Sequence, residues 1–177
     1  MWKWALVPFL VVAVYTDWRW HRLFNWLTFP ALGIGLILSG VWGGWSGLLS
    51  SLAGAGIAFG VFLVLYLVAR MGAGDLKLMV AIGAWLGYPA IIPDLVYVML
   101  AGGVIALGFA LRYGALGSVF RNLYYFLLSL FTPGVKPENV LAASALPPFP
   151  YGVAIALGTL YTLGTLFLPR LPALHGG

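Results

Sequence analysis

Residues 46–69 read SGLLSSLAGAGIAFGVFLVLYLVA, a stretch with no charged side chain and no proline. A helix of this length rises about 36 Å, enough to cross the roughly 30 Å hydrocarbon core of a bilayer. Its serines and glycines do not argue against a span, because a helix satisfies its own backbone hydrogen bonds wherever no water is present. The segment reads as a membrane-spanning helix.

Further apolar runs fall at 4–16, 26–42, 76–88, 93–111 and 149–168. With 46–69 they give six spans on short connections, so the expected fold is all-α: a polytopic membrane protein with about six transmembrane helices, in one domain over 1–177. Composition agrees. The chain is 63% hydrophobic and 7% charged, with a mean hydropathy of +1.03, and a soluble core of this size could not hide so much apolar surface. The first run follows Lys3 as a signal peptide would. Pro8 interrupts it and no small-residue cleavage site follows, so it is expected to be a retained helix.

The basic residues set the orientation. Six spans put Arg19, Arg22, Arg70, Lys77, Arg112, Arg121 and Lys136 on one side and leave Lys3 and Arg170 on the other. By the excess of Lys and Arg in cytoplasmic loops, the first side is the cytoplasm and both termini face outward. Tryptophans mark the expected interfaces: Trp2 and Trp4 at the first span, Trp18, Trp20 and Trp26 around the first loop, Trp42 and Trp45 at the next turn. Residues 117–131 read as an interfacial helix and 132–148, with four prolines, as a loop. Gly40 with Gly44, Gly56 with Gly60, and Gly83 with Gly87 have the four-residue spacing that lets helix backbones approach, and all six are expected to be structural.

Several chemistries drop out. There is no cysteine, hence no disulfide, thiolate metal site or cysteine nucleophile. His21 and His175 stand alone and the four carboxylates are scattered, so no metal site is expected. The net charge of +5 is spread over short loops rather than a stripe, which argues against nucleic acid.

Carboxylates inside a membrane are expensive, and each is a functional candidate. Asp94, after Pro93 at a helix start, and Glu138, in the proline-containing loop, are expected to be solvated. Asp17 and Asp75 differ, since each sits at the end of an apolar helix on the same face, beside cationic residues. They could simply neutralise Arg19, Arg22, Arg70 or Lys77, or hydrogen-bond between helices. Brought together in a poorly solvated site, they could instead supply one acid and one base, the pair needed to activate water against an amide.

Residues 71–78, MGAGDLKL, contain a G-x-G-D-x-K pattern at Gly72, Gly74, Asp75 and Lys77, and residues 17–25, DWRWHRLFN, contain D-x7-N from Asp17 to Asn25. Together they resemble the signatures of the type IV prepilin and archaeal preflagellin peptidases. The resemblance covers nearly the whole chain, including the proline-rich approach from Pro147 to Gly152 to the last helix. It implies catalysis by Asp17 and Asp75 without a cofactor, on prepilin-like precursors with a short basic leader before a hydrophobic helix, as in type IV pilus assembly. It also implies a prokaryotic inner-membrane location with the active site at the cytoplasmic face. Leu23 and Phe24 stand where the family often has Ile-Pro, which leaves the role of Asn25 less defined than that of the aspartates. The cysteine-bearing insertion of the bifunctional enzymes, which also methylate, is not visible, so a peptidase-only type is expected.

Flanking residues carry weaker expectations. Gly72 and Gly74 would let a substrate backbone approach Asp75 or serve helix packing. Lys77 would position substrate, anchor lipid phosphate or set topology. His21 reads as a solvated loop residue, there being no serine motif nearby. A presenilin-like protease would need Tyr-Asp and Pro-Ala-Leu motifs, whereas Thr16 precedes Asp17 and residues 145–147 run Ala-Leu-Pro. A small ion-coupled transporter using paired carboxylates is the alternative from another class, and it would place its acids near the midplane rather than at one face. A non-enzymatic scaffold, with the aspartates serving only helix contacts, is a third.

Overall fold

The computed structural model describes residues 2–69, 71–114, 117 and 151–167. Among them every regular element is helical: a 3-10 turn at Trp2–Leu6, α1 Val7–Trp20, α2 Asn25–Ala69, α3 Ala73–Leu86, α4 Ile91–Arg112 and α5 Tyr151–Phe167. The expected interfacial helix and loop over 117–148, with Glu138, lie outside the described residues apart from Gly117.

α2 is a hairpin rather than a rod. Gly44 breaks it with φ 60° and ψ −149°, a backbone conformation that costs little only without a Cβ. The arms 25–43 and 45–69 then lie side by side: a Cβ on Gly47 would run into the carbonyl oxygen of Ser39, and the hydroxyls of Ser39 and Ser51 both donate to the carbonyl of Ala84. Divided at Gly44, the described helices number six and occupy the six apolar runs. By length and composition, α2 taken unbroken over Asn25–Leu67 and α4 over Ile91–Arg112 are long and apolar enough to cross a membrane. α1 and α3, of 14 residues each, rise only about 21 Å, less than a full hydrocarbon core. Pro8 does not interrupt α1. It lies in the first turn, where a missing N–H leaves no bond unmade.

α3 is the central helix. From Leu78 to Leu86 all but one residue is buried, as befits a helix apolar on all sides. It packs chiefly against α2, while α5 packs against α4 and α1. Trp85, fully buried, lies over Gly35, where a Cβ would sit 2.6 Å from the indole, and its Nε1 donates to the carbonyl of Ala31 at 2.7 Å. Gly54 and Gly83 meet backbone to backbone, each occupying the space a Cβ on the other would need, and Gly87 abuts Ser50. Gly56 and Gly60, with the same spacing, face open space instead. The expectation that all six glycines serve close helix approach holds for Gly83 and Gly87 and fails for Gly56 and Gly60, because α3 meets the second arm of α2 on the face of Gly54 and Ala55. Gly44, also with open space beside it, instead breaks α2, and a Cβ on Gly40 would only touch Leu48, at 4.0 Å.

The outside of α4 is apolar: Val96, Leu100, Val104, Leu107 and Leu111 form an exposed stripe at helical spacing. Water would not sustain such a surface, whereas lipid tails match it. Trp18, Trp20 and Trp26 are exposed at one end of the bundle and Trp42 and Trp45 at the other. Trp2 instead turns inward against Trp85. Nearby, Lys3 donates to the carbonyl of Leu86 at 2.6 Å, so this cation closes the end of α3 rather than standing free in a loop.

Asp94 corrects a second expectation. It is completely buried, not solvated. Although it opens α4 where an acid would normally face water, the helix turns that face onto α5, so that Asp94, Leu95, Val98 and Gly102 all point inward.

Candidate active site

Four helix ends converge at one end of the bundle: the last turn of α1 and the first turns of α2, α3 and α5. α1 stops because His21 takes a left-handed conformation, φ 49° and ψ 37°, and its N–H caps the carbonyl of Asp17 at 2.8 Å. The turn redirects the chain into α2 and leaves the Asp17 side chain facing inward, 6% exposed. α3 begins at Gly72, whose extended backbone lets its carbonyl accept the first helical bonds from Asp75 and Leu76. Asp75 therefore lies in the first turn of a helix, where a negative charge is favoured. It is 9% exposed.

The two aspartates line one open cleft of about 400 Å³, together with residues 21–25 of the α1–α2 connection and Gly72, Ala73 and Gly74. They lie within electrostatic reach of each other. Among the described residues neither aspartate forms an ion pair; Arg22 and His21 are exposed at the rim, His21 within electrostatic reach of Asp17, and Arg70 lies outside the described residues.

The glycines have specific tasks. A Cβ on Gly72 would stand 2.9 Å from Oδ2 of Asp75, so this glycine clears the space the carboxylate occupies. A Cβ on Gly74 would stand 2.8 Å from the Cβ of Leu23, so this one lets the start of α3 press against the α1–α2 connection. The space beside Gly74 is thus filled by the chain itself. Lys77 does not itself line the cleft; it donates to Oδ1 of Asn25, which does, at 2.9 Å and lies 5.7 Å from the centre of the Phe29 ring. The two motifs are therefore joined by a hydrogen bond between their last members.

Two further residues belong here that their types alone do not reveal. The N–H of Gly152, in the first turn of α5, donates to Oδ2 of Asp17 at 2.7 Å. Tyr151 beside it lies within electrostatic reach of Asp75 and lodges over Gly102 of α4, where a Cβ would meet its hydroxyl at 2.7 Å. The sequence signal was a glycine at the start of the last apolar run, after Pro147, Pro148 and Pro150. Nothing local named its partner.

The profile of the type IV leader peptidase family matches residues 4–111, a stretch holding both aspartates, α1 to α3 and all of α4 but its last residue. The chain belongs to that family. A prepilin leader peptidase/N-methyltransferase of Neisseria gonorrhoeae is 32% identical to it over 118 residues, covering 59% of this chain and 41% of that relative. The chain thus spans less than half the length of that protein. No solved structure matches it. The lipid-compatible surface of the described helices is in keeping with membership in that family.

Proposed function

We propose that the chain is an intramembrane aspartyl endopeptidase that removes the short basic leader from prepilin-like precursors at the cytoplasmic membrane face. The observation that carries this reading is the shared cleft: Asp17 and Asp75, 58 positions apart in sequence (75 − 17), line one opening at one end of the bundle. Two neighbouring carboxyl groups in a poorly hydrated site do not both ionise readily, so one holds a proton while the other acts as a base. The base takes a proton from water as its oxygen attacks the scissile carbonyl. The acid donates a hydrogen bond to the carbonyl oxygen as charge gathers there, and proton return to the departing amine breaks the C–N bond. Gly152 holds Asp17 through its N–H, Gly72 leaves room for Asp75, and the Lys77–Asn25 bond fixes the walls of the cleft.

In this reading the six helical segments are six crossings of one domain, residues 1–177, with both termini outside. The short α1 and α3 would bring the aspartates below the level of the headgroups, where a precursor with a basic leader and a hydrophobic helix presents its scissile bond. The peptidase reaction is the part of the relative's printed activities that two carboxylates can supply, and the proposal is confined to it.

The test is leader release. Purified protein in liposomes, given a prepilin-type precursor, should produce one shortened product whose new amino terminus lies at the junction of basic leader and apolar helix. An uncut precursor, or cuts scattered through the soluble part, would refute the assignment.

A further inference from the structure

α4 and α5 meet along a single ladder. On α4 the ladder runs through Asp94, Val98 and Gly102, four residues apart and on one face. On α5, Tyr151 fits against Gly102, and Gly158 presses on the backbone of Val98, where a Cβ would sit 2.5 Å from its nitrogen. Thr159 and Thr162 stand opposite Asp94 at the far end. The other end of α5 is the turn whose Gly152 N–H holds Asp17.

The Asp94 rung is polar and closed to solvent. Asp94, Thr159 and Thr162 are each 0% exposed. Neither carboxylate oxygen of Asp94 nor the hydroxyl of Thr159 makes a hydrogen bond of ordinary geometry, and the Thr162 hydroxyl donates to the carbonyl of Gly158 at 3.1 Å. No basic residue of α4 or α5 among those described is near: Arg112 lies at the opposite end of α4. A charge in such a place would be costly, whereas an uncharged carboxylic acid can donate to a threonine oxygen and accept from a threonine hydroxyl. Small residues alone let α4 and α5 approach but leave sliding along the axis weakly opposed. A hydrogen-bonding rung fixes it.

We propose that Asp94 is a positioning residue: an uncharged clamp to Thr159 and Thr162 that sets the axial register of α5 and so holds the Gly152 N–H on Asp17. The clamp acts over about 15 Å, the rise of α5 between Gly152 and Thr162. This inference rests on the aspartyl-protease reading for its catalytic consequence, but its structural core, the coupling of Asp94 to Gly152, can be measured without any substrate.

The experiment compares wild type with Asp94→Asn, Asp94→Leu and the Thr159→Val, Thr162→Val pair, all purified full-length in detergent. The first readout is hydrogen exchange at the Gly152 amide. Asp94→Leu and the threonine pair should accelerate it about tenfold or more, and Asp94→Asn, neutral and able to donate, should keep it near wild type. The second readout is turnover of a prepilin-type precursor. Asp94→Leu should lower kcat by about 10- to 100-fold, the scale of a misplacement near 1 Å, with KM little changed. In a Gly152→Ala background the same substitution should add no further loss. Should Asp94→Leu fail to fold, the threonine pair carries the same test. Unchanged Gly152 exchange in a folded variant lacking the clamp would overturn the inference, as would Asp94→Asn as damaging as Asp94→Leu, which would mark a charge-dependent role. Absence of cleavage by wild type would defeat the protease reading and leave the exchange result standing.

Discussion

The backbone N–H of Gly152 and the carboxylate of Asp17 are joined by a 2.7 Å hydrogen bond across 135 positions of sequence. That bond makes the last helix part of the site, although the family match ends at residue 111. A Cβ at position 152 would stand 2.7 Å from Oδ2 of Asp17 and 3.1 Å from its Cβ and Cγ. Gly152→Ala should therefore displace the carboxylate while sparing the bundle, and cleavage should fall by about 100-fold. Leader release by the purified variant, beside its thermal unfolding in detergent, checks this: near-normal turnover would detach α5 from the site.

Lys77 and Asn25 should behave as a pair. Their 2.9 Å hydrogen bond is exposed to solvent, so its contribution to stability is small, on the order of 0.5 kcal/mol. Lys77→Met and Asn25→Ala should each reduce cleavage only severalfold. The double variant should be no worse than either single one, and a double-mutant cycle on kcat/KM measures the coupling. Losses that multiply would show the two residues acting separately, with Lys77 serving lipid or topology.

Glycines with identical spacing should answer differently to alanine. Gly83→Ala would place its Cβ 2.5 Å from the carbonyl oxygen of Gly54, backbone that cannot swing aside, and should cost about 1–3 kcal/mol. Gly56→Ala enters open space in a helix and should be neutral or stabilising by up to about 1 kcal/mol. Melting of the two variants in one detergent compares them directly, and equal shifts would contradict the packing of α3 against the second arm of α2.

Much of the fold was legible because lipid imposes a length rule. The runs 26–42 and 46–69 could be separated at Gly43 and Gly44 between two tryptophans, and the structure turns at Gly44. Asp17 and Asp75 were legible as the acids at helix ends on one face. Asp94 was not, because Pro93-Asp94 before an apolar run is the ordinary pattern of a solvated helix start, and its burial comes from threonines on another helix. Gly152 was hidden for the same reason. Its conformation is local, but its partner is not. The Gly56 and Gly60 pair shows the converse, a packing spacing that faces open space.

Orientation can be read directly because the natural chain has no cysteine. Single cysteines at positions 22 and 73, both lining the cleft, should react with an impermeant thiol reagent from the cytoplasmic side only. A cysteine replacing exposed Trp45, at the other end of the bundle, should react from outside. Labelling of positions 22 and 73 from outside would reverse the orientation expected from the placement of seven basic residues on one side in sequence.

The central claim, that Asp17 and Asp75 are the acid and base of one reaction, is tested most directly by neutralising each. Asp17→Asn and Asp75→Asn keep the shape of the side chain and remove a costly buried acid, so both should fold and melt no lower than wild type. The measurement is the rate of leader release from a prepilin-type precursor in liposomes by each single variant and by the double. Because acid and base act as a unit, each single change should abolish detectable cleavage, and the double should be no worse. Substantial turnover by either folded variant would contradict the account.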